Sequence, residues 1–137
     1  STIAEECKVG PYARLRPGTN LDPQVKVGNF VEIKNAKIGI KSKVSHLSYL
    51  GDVFIGQSTN IGAGTVVCNY DGKKKSQSIL GNECFIGSNS SIISPVHIDH
   101  NTLVAAGSVI TENIPDNHMG IARQKQINKA LSKKWKK

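Results

Sequence analysis

Aliphatic residues recur along this chain at an interval of six, a period that is neither the ~3.6 of an α-helix nor the ~2 of a simple alternating strand. From Leu80 the sequence reads LGNECF, IGSNSS, IISPVH, IDHNTL, VAAGSV and ITENIP, headed by Leu80, Ile86, Ile92, Ile98, Val104 and Ile110. The fifth positions are small or β-branched: Cys84, Ser90, Val96, Thr102, Ser108 and Ile114. The same frame is led by Val9, Leu15, Leu21 and Val27, and again by Ile55 and Ile61. It predicts short strands joined by tight turns, each sending one aliphatic side chain inward. Glycine at the second position and small residues at the fifth are expected to let the chain turn closely. Three such strands close a triangular coil of about 18 residues, and coils stack at about 4.8 Å by parallel pairing. A glycine-rich β-sandwich would have to produce this in-frame repetition by coincidence.

The period breaks in three places. It contracts to five between Ile33 and Ile38, around IKNAK, and again between Leu50 and Ile55, after SHLSYLGD. Between Val67 and Leu80 the segment CNYDGKKKSQSI replaces part of the pattern. Its turn formers Asn69, Asp71 and Gly72 and its lysine run predict a loop insertion over residues 68–79 that leaves the body. It is either a solvated surface loop or one that reaches an anionic ligand or a neighbouring subunit. After Pro115 the repeat ends. The pattern thus divides the chain into a β-helix over residues 1–115 and a basic, partly helical tail over 116–137. In that tail Ile127, Leu131 and Trp135 fall at i, i+4 and i+8, the stripe of a short helix that would cap the solenoid's end.

Charge sharpens this division. The net charge is +8, yet residues 123–137 hold seven basic groups and no acid, so the rest of the chain is nearly neutral. With only Trp135 as an aromatic partner, the tail fits a phosphate-rich small molecule better than nucleic acid. Aromatic residues make up 5% of the chain, which leaves the core to small and β-branched side chains. No apolar run approaches a membrane span, and Ser1–Lys8 lacks the apolar core of a signal peptide. Cys7, Cys68 and Cys84 lack zinc-like spacing and read as reduced thiols of a cytoplasmic protein. A sequence without an initiator methionine is what a fragment or a processed chain would be expected to show.

PYARLRPG, VGNFVEIK, SHLSYLGD, NIGAGT, CNYDGKKK, FIGSNS, VAAGSVIT and IAR follow one another in the order and spacing of one family. From about Val9 to Arg123 the chain resembles the C-terminal acetyltransferase domain of the bacterial bifunctional N-acetylglucosamine-1-phosphate uridyltransferase / glucosamine-1-phosphate N-acetyltransferases. These are hexapeptide-repeat acyltransferases. One departure is Ser45, where the family is expected to carry glycine before the histidine.

The resemblance implies a left-handed parallel β-helix, against the usual right-handed crossover rule. It implies acetyl transfer from acetyl-CoA to the amine of glucosamine 1-phosphate, giving the N-acetylglucosamine 1-phosphate used for UDP-N-acetylglucosamine and hence for cell-wall precursors. It also implies a homotrimer with active sites between subunits, no metal for acetyl transfer, and neither nucleic acid nor membrane as partner. The Gly-rich LxAGxGTRM-type loop of the uridyltransferase half does not occur in the sequence, so acetylation without uridylyl transfer is expected.

An amine nucleophile must lose a proton to attack a thioester, and a histidine with a pKa near ~6.5 suits that transfer. His46 stands at a period break among Ser45, Ser48 and Tyr49, and becomes the general-base candidate. His97, His100 and His118 lack such a setting. By resemblance Arg16, Lys34, Tyr49 and Asn60 bind the sugar phosphate, with Arg16 able to grip a phosphate bidentately. Glu32 is the candidate to orient His46 or the amine. Judged alone, Lys34 fits a solvated face and Arg16, before Pro17, a turn. By resemblance Ala63, Asn69, Tyr70, Ser88, Ala106 and Arg123 bind acetyl-CoA, with Arg123 and Lys75 pairing with its phosphates; without the motif both belong to an ordinary basic surface. Asn69 is the candidate oxyanion donor. By themselves Ala63 and Ala106 read as ordinary small-residue packing. Two other functions share the fold. One is a zinc carbonic anhydrase using three histidines, for which His97 and His100 lie close in sequence. The other is a non-catalytic trimeric scaffold that presents the basic tail.

Overall fold

The computed structural model describes residues 1–137 and is built almost wholly of short parallel strands. They wind into a solenoid with three faces. The first face stacks seven strands: Lys8–Val9, Lys26–Asn29, Lys43–His46, Asn60–Ile61, Phe85–Ile86, Leu103–Val104 and Met119–Gly120. The second carries Arg14–Leu15, Val66–Cys68, Ser91–Ile93 and Val109–Ile110, and the third Thr2–Ile3, Thr19–Leu21, Ser78–Leu80 and His97–Ile98. Two longer strands, Glu32–Ile38 and Tyr49–Ile55, run around the corner from the second face onto the third.

Inward aliphatics make the core. Ile33, Ile38, Leu50, Leu80, Ile86, Ile92 and Ile98 are fully buried, each contributing about 1.5–3 kcal/mol over exposure. The fifth-position residues Cys84, Ser90, Val96, Thr102 and Ser108 are buried as well. Their hydroxyl counterparts are satisfied by backbone: Thr65 Oγ1 donates to the Gly62 carbonyl at 2.7 Å and Thr59 Oγ1 to that of Gly81 at 2.8 Å. No buried side-chain polar atom lacks a partner.

Turning falls to a different residue than the sequence pattern suggests. The fourth position of the hexad takes the left-handed conformation, as in Tyr12, Gln24, Phe30, Lys41, Leu47, Ser58, Glu83, Asn89 and Asn101. The second-position glycines instead let neighbouring coils approach. A Cβ on Gly62 would stand 2.5 Å from the Ile86 carbonyl oxygen and 2.6 Å from the Ser88 nitrogen.

Coil lengths follow from the register. Lys8 pairs with Lys26, Lys26 with Lys43, Lys43 with Asn60, Asn60 with Phe85, Phe85 with Leu103 and Leu103 with Met119, giving steps of 18, 17, 17, 25, 18 and 16 residues. The 17-residue coils hold the two contractions, and the 25-residue coil holds the insertion. All three breaks fall at one corner, between the second and third faces. The insertion is a small hairpin, tied by Tyr70 opposite Lys75 and by the Ser76 N–H donating to the Asn69 carbonyl at 2.8 Å. At its tip the Asp71 carboxylate accepts from the N–H groups of Lys73 and Lys74, both at 2.8 Å, which holds its pKa below the ordinary aspartate value.

Three expectations for the C-terminal end are corrected. Ile114 is not a fifth-position residue: it bridges to Ile98 and so leads a strand, a contraction to four after Ile110. Pairing continues past Pro115, with Met119–Gly120 beside Leu103–Val104 and the Val109 N–H donating to the Ala122 carbonyl at 3.0 Å. The tail forms no amphipathic helix on the solenoid's end. Its only helical piece is a 3₁₀ turn, Lys133–Trp135, and Ile127, Leu131 and Trp135 are exposed at 69%, 61% and 67%. A helix this short is marginal without a surface to pack against. A hollow lined in part by Ile110, Ile114, Met119 and Ile121 remains at that end.

Gly62→Ala should cost about 1–3 kcal/mol, as overpacking does, since the added methyl meets backbone that cannot rotate away. Urea unfolding with an unchanged midpoint would overturn this account of the second-position glycines.

Candidate active site

The candidate residues gather into two groups. The first lies on the second face and at its corner with the third. Arg16 and Glu32 pair at 3.1 Å, and Arg14 approaches the same carboxylate at 3.6 Å. Tyr49 stands beside Glu32 on the next coil, and Lys34 beside Gly51. Asn69, at the base of the hairpin, is buried, and its Nδ2 lies 3.4 Å from the Tyr49 hydroxyl.

At the centre of this group is Asp52, which sequence reasoning did not single out. It is only 7% exposed. Asn35 Nδ2 donates to its Oδ1 and Asn69 Nδ2 to its Oδ2, each at 2.6 Å, and the Lys34 ammonium lies 3.8 Å from Oδ2. Burial alone would raise the Asp52 pKa. The Asn35 and Asn69 amides, then the charges of Lys34 and Lys75, outweigh it and hold the carboxyl below its ordinary value of 3.8. Lys75, expected with Arg123 at the coenzyme's phosphates, instead reaches this group from the hairpin, beside Lys34 and Asp52. The neighbouring Lys34 side chain, which favours an unprotonated amine beside it and repels a like charge, pushes the Lys75 ammonium below the ordinary lysine range, while Asp52 and Tyr49 pull it up. The signal for Asp52 and Asn35 was present in the sequence: each sits where the period contracts to five.

Gly51 belongs to the same group for a steric reason. A Cβ there would overlap the Tyr49 hydroxyl and lie 2.6 Å from Asn69 Nδ2. Both functional groups therefore occupy the space that any side chain would fill.

The second group is a column along the corner between the first and second faces. His46, Ala63, Ser88 and Ala106 each take the third position of a hexad on successive coils. Backbone bonds tie the column together: the Gly64 N–H donates to the His46 carbonyl at 3.3 Å, Asn89 to Ala63 at 2.8 Å, and Gly107 to Ser88 at 2.8 Å. Arg123 closes its upper end, its guanidinium donating to the Ala106 carbonyl at 2.7 Å. Ser88, Ala106 and Arg123 are exposed and Ala63 is half-buried, so the column presents mostly backbone and small side chains. His46 begins the column and stands three residues before Tyr49. Its imidazole is exposed with no hydrogen-bond partner in the chain, while its carbonyl accepts from Ser48 Oγ at 2.9 Å.

Some candidates do not meet. Glu32 is engaged by Arg14 and Arg16 rather than by His46. Asn60 lies on the first face, three residues before Ala63, apart from Arg16, Lys34 and Tyr49. Tyr70 is exposed on the hairpin, its hydroxyl donating to the Gly72 carbonyl at 2.8 Å. The other histidines are tied locally: His97 to Asp99 at 3.2 Å, His100 Nδ1 to the Asn82 N–H at 2.8 Å, and His118 Nδ1 to the Asp116 carbonyl at 2.8 Å. No three metal-ligating side chains converge within the chain. No helix is long and apolar enough to cross a membrane.

Asp52→Asn should expose the electrostatics of the first group. Folding lowers the Asp52 pKa, so its ionised form stabilises the protein above about pH 3.8, and that contribution is lost as the pH falls through the lowered value. The gap in melting temperature between wild type and Asp52→Asn should be widest near neutrality and close towards pH 2. A gap that stays constant with pH would refute this.

Comparison with known proteins places these features among relatives. The family model described as bacterial transferase hexapeptide (six repeats) matches residues 77–112. Over 129 residues, 94% of its length, the chain is 57% identical to a bifunctional protein GlmU of Thermosipho melanesiensis and 54% identical to one of Staphylococcus epidermidis. It spans 29% of the length of each. Among solved structures, the acetyltransferase domain of PglB from Neisseria gonorrhoeae, in complex with acetyl coenzyme A, superposes with a TM-score of 0.77 at 16% identity, over 85% of this chain and 55% of that one. A point mutant of AntD, an N-acyltransferase from Bacillus cereus in complex with dTDP and coenzyme A, gives 0.76 at 19% identity, over 93% and 82%. At these identities the likeness to the solved structures is one of fold.

Proposed function

The chain belongs to the bacterial hexapeptide-repeat transferases, as kin over nearly its whole length to part of the bifunctional GlmU proteins, and from that premise we propose that it transfers the acetyl group of acetyl-CoA to the amine of glucosamine 1-phosphate. The observation that carries this reading is the column of Ala63, Ser88 and Ala106 closed by Arg123. A pantetheine arm is extended and offers amide groups to backbone. It needs a track without bulky side chains and a cation where the coenzyme's phosphates begin. Three steps of about 4.8 Å give that track a length of about 14 Å.

The acceptor takes the other group. Arg16, Lys34 and Lys75 supply cations for the phosphate, and Tyr49 a hydroxyl for the sugar. His46 stands at the border of the two groups. Its neutral imidazole accepts the proton of the attacking amine as nitrogen bonds to the thioester carbonyl carbon. The oxyanion that forms is met by an N–H of Asn69. The tetrahedral adduct then collapses, the C–S bond breaks, and the leaving thiolate takes up a proton. Acetyl-CoA is a co-substrate in this scheme, and no step calls on a metal.

The two groups face different directions in one chain. A neighbouring chain's column, docked against this chain's acceptor group, would bring thioester and amine together, which favours a trimer with sites between subunits. Phe85, Leu103 and Met119 support such packing: they align on the first face, each at least a third exposed. The free thiols Cys7, Cys68 and Cys84 fit a reducing cytoplasm.

A thiol-release assay with acetyl-CoA and glucosamine 1-phosphate tests the activity itself. His46→Ala should lower kcat by about 10²–10⁴ and leave the KM for acetyl-CoA nearly unchanged. Arg123→Ala should raise that KM, losing about 1.5–3 kcal/mol of binding. A KM effect from His46→Ala, or a pure kcat effect from Arg123→Ala, would reverse the assigned roles.

Mixing the two variants should restore activity, because some sites in mixed trimers then pair an intact His46 with an intact Arg123. No recovery, in trimers shown to have exchanged subunits, would put both residues in one chain's contribution to the site.

A further inference from the structure

Asp52 is itself neither an acceptor nor a coenzyme candidate, yet it holds Asn69 at the base of the hairpin. We propose that Asp52 is a positioning residue for acetyl transfer, acting through Asn69. This rests on the acetyltransferase reading above and adds to it a residue outside both sets of candidate ligands.

The argument begins with hydrogen-bond directions. An ionised carboxylate only accepts, so both amides that meet it must present their NH₂ groups. Asn35 takes Oδ1 and Asn69 takes Oδ2, each at 2.6 Å. That contact fixes which way the Asn69 amide faces. One N–H is held by Asp52, and the other donates to the Tyr49 hydroxyl at 3.4 Å, a long bond that a developing oxyanion would replace. A neutral amide in place of Asp52 could meet Asn69 through either its oxygen or its nitrogen, and the second N–H would lose its fixed aim.

The surroundings keep Asp52 in place. It is buried at a left-handed corner (φ 49°) on a strand that bends from one face to the next. Asn35 occupies the equivalent corner one coil below (φ 46°), and Asn69 continues the stack one coil above. Gly51 leaves the space in which the Tyr49 hydroxyl and the Asn69 amide meet. The Lys34 ammonium, 3.8 Å from Oδ2, steadies the carboxylate from the acceptor side. The result is a three-residue polar stack, Asn35–Asp52–Asn69, whose last member alone adjoins the reacting groups.

A double-mutant cycle in kcat tests this. Misaiming a catalytic donor by about 1 Å can cost about 10²-fold, so Asp52→Asn should lower kcat about 10- to 100-fold with the KM for acetyl-CoA unchanged. Asn69→Ala should lower it by about 10²–10³. The double variant should be no worse than Asn69→Ala alone, because Asp52 then has nothing left to aim. Multiplying effects, or a kcat for Asp52→Asn within twofold of wild type, would overturn the proposal. Should Asp52→Asn fail to fold, Asn35→Ala takes its place: it frees the other carboxylate oxygen and should lower kcat in the wild-type background but not in Asn69→Ala. An equal loss in both backgrounds would also overturn it. An inactive wild type would instead refute the acetyltransferase reading on which the proposal stands.

Discussion

Successive coils are bound by backbone hydrogen bonds that repeat up each face: Arg16 N–H to the Ile33 carbonyl at 2.8 Å, Glu32 to Ser48 at 2.9 Å, Tyr49 to Thr65 at 3.1 Å, Val66 to Ser90 at 3.0 Å and Ser91 to Ser108 at 2.9 Å. This parallel pairing converts a period in sequence into columns in space. Residues one coil apart stand about 4.8 Å from each other, whatever their side chains are. Every grouping in the candidate site depends on it. Ala63, Ser88 and Ala106 align because they hold the same hexad position, although the steps between them are 25 and 18 residues.

The ladder also constrains where the pattern can be broken. A residue removed within a strand would turn inward side chains outward, since faces alternate along a strand. Removal at a corner shortens only the turn. The two contractions to five and the hairpin insertion occupy the corner between the second and third faces, on three consecutive coils. This shared location sets Asn35, Asp52 and Asn69 in line. It also leads the hairpin away from the body beside Lys34, so that Lys75 can return to the group. A carboxylate with two amides and two ammonium groups around it is stable in a nearly buried place because its donors are supplied by fixed backbone positions.

Outside the corners the surface is less finished. Apolar side chains remain exposed on the first face, and the C-terminal end retains a hollow beside a tail that does not cover it. Solenoids bury a continuous core only along their axis, so ends and flat sides are the places where another surface is accommodated.

The period of six determined the architecture by itself, because one inward aliphatic per strand and small fifth-position residues leave little choice but a three-sided coil. The sequence likewise marked the places of exception, IKNAK, SHLSYLGD and CNYDGKKK, and its resemblance to a known family pointed to His46, Arg16, Lys34, Tyr49 and Arg123. It misassigned the turning residue, since left-handed φ is adopted here by Tyr12, Phe30 and Leu47, which composition alone would not nominate. It also overlooked the strand-leading role of Ile114 and expected a helix whose stripe finds no surface. Only the tertiary structure decided that Asp52 joins Asn35 and Asn69, that Glu32 is engaged by arginines, and that Asn60 stands apart from the other acceptor candidates. Those partnerships depend on which corner each break occupies and on the direction of each hydrogen bond. Neither is written in a one-dimensional period; both appear once the coils are stacked.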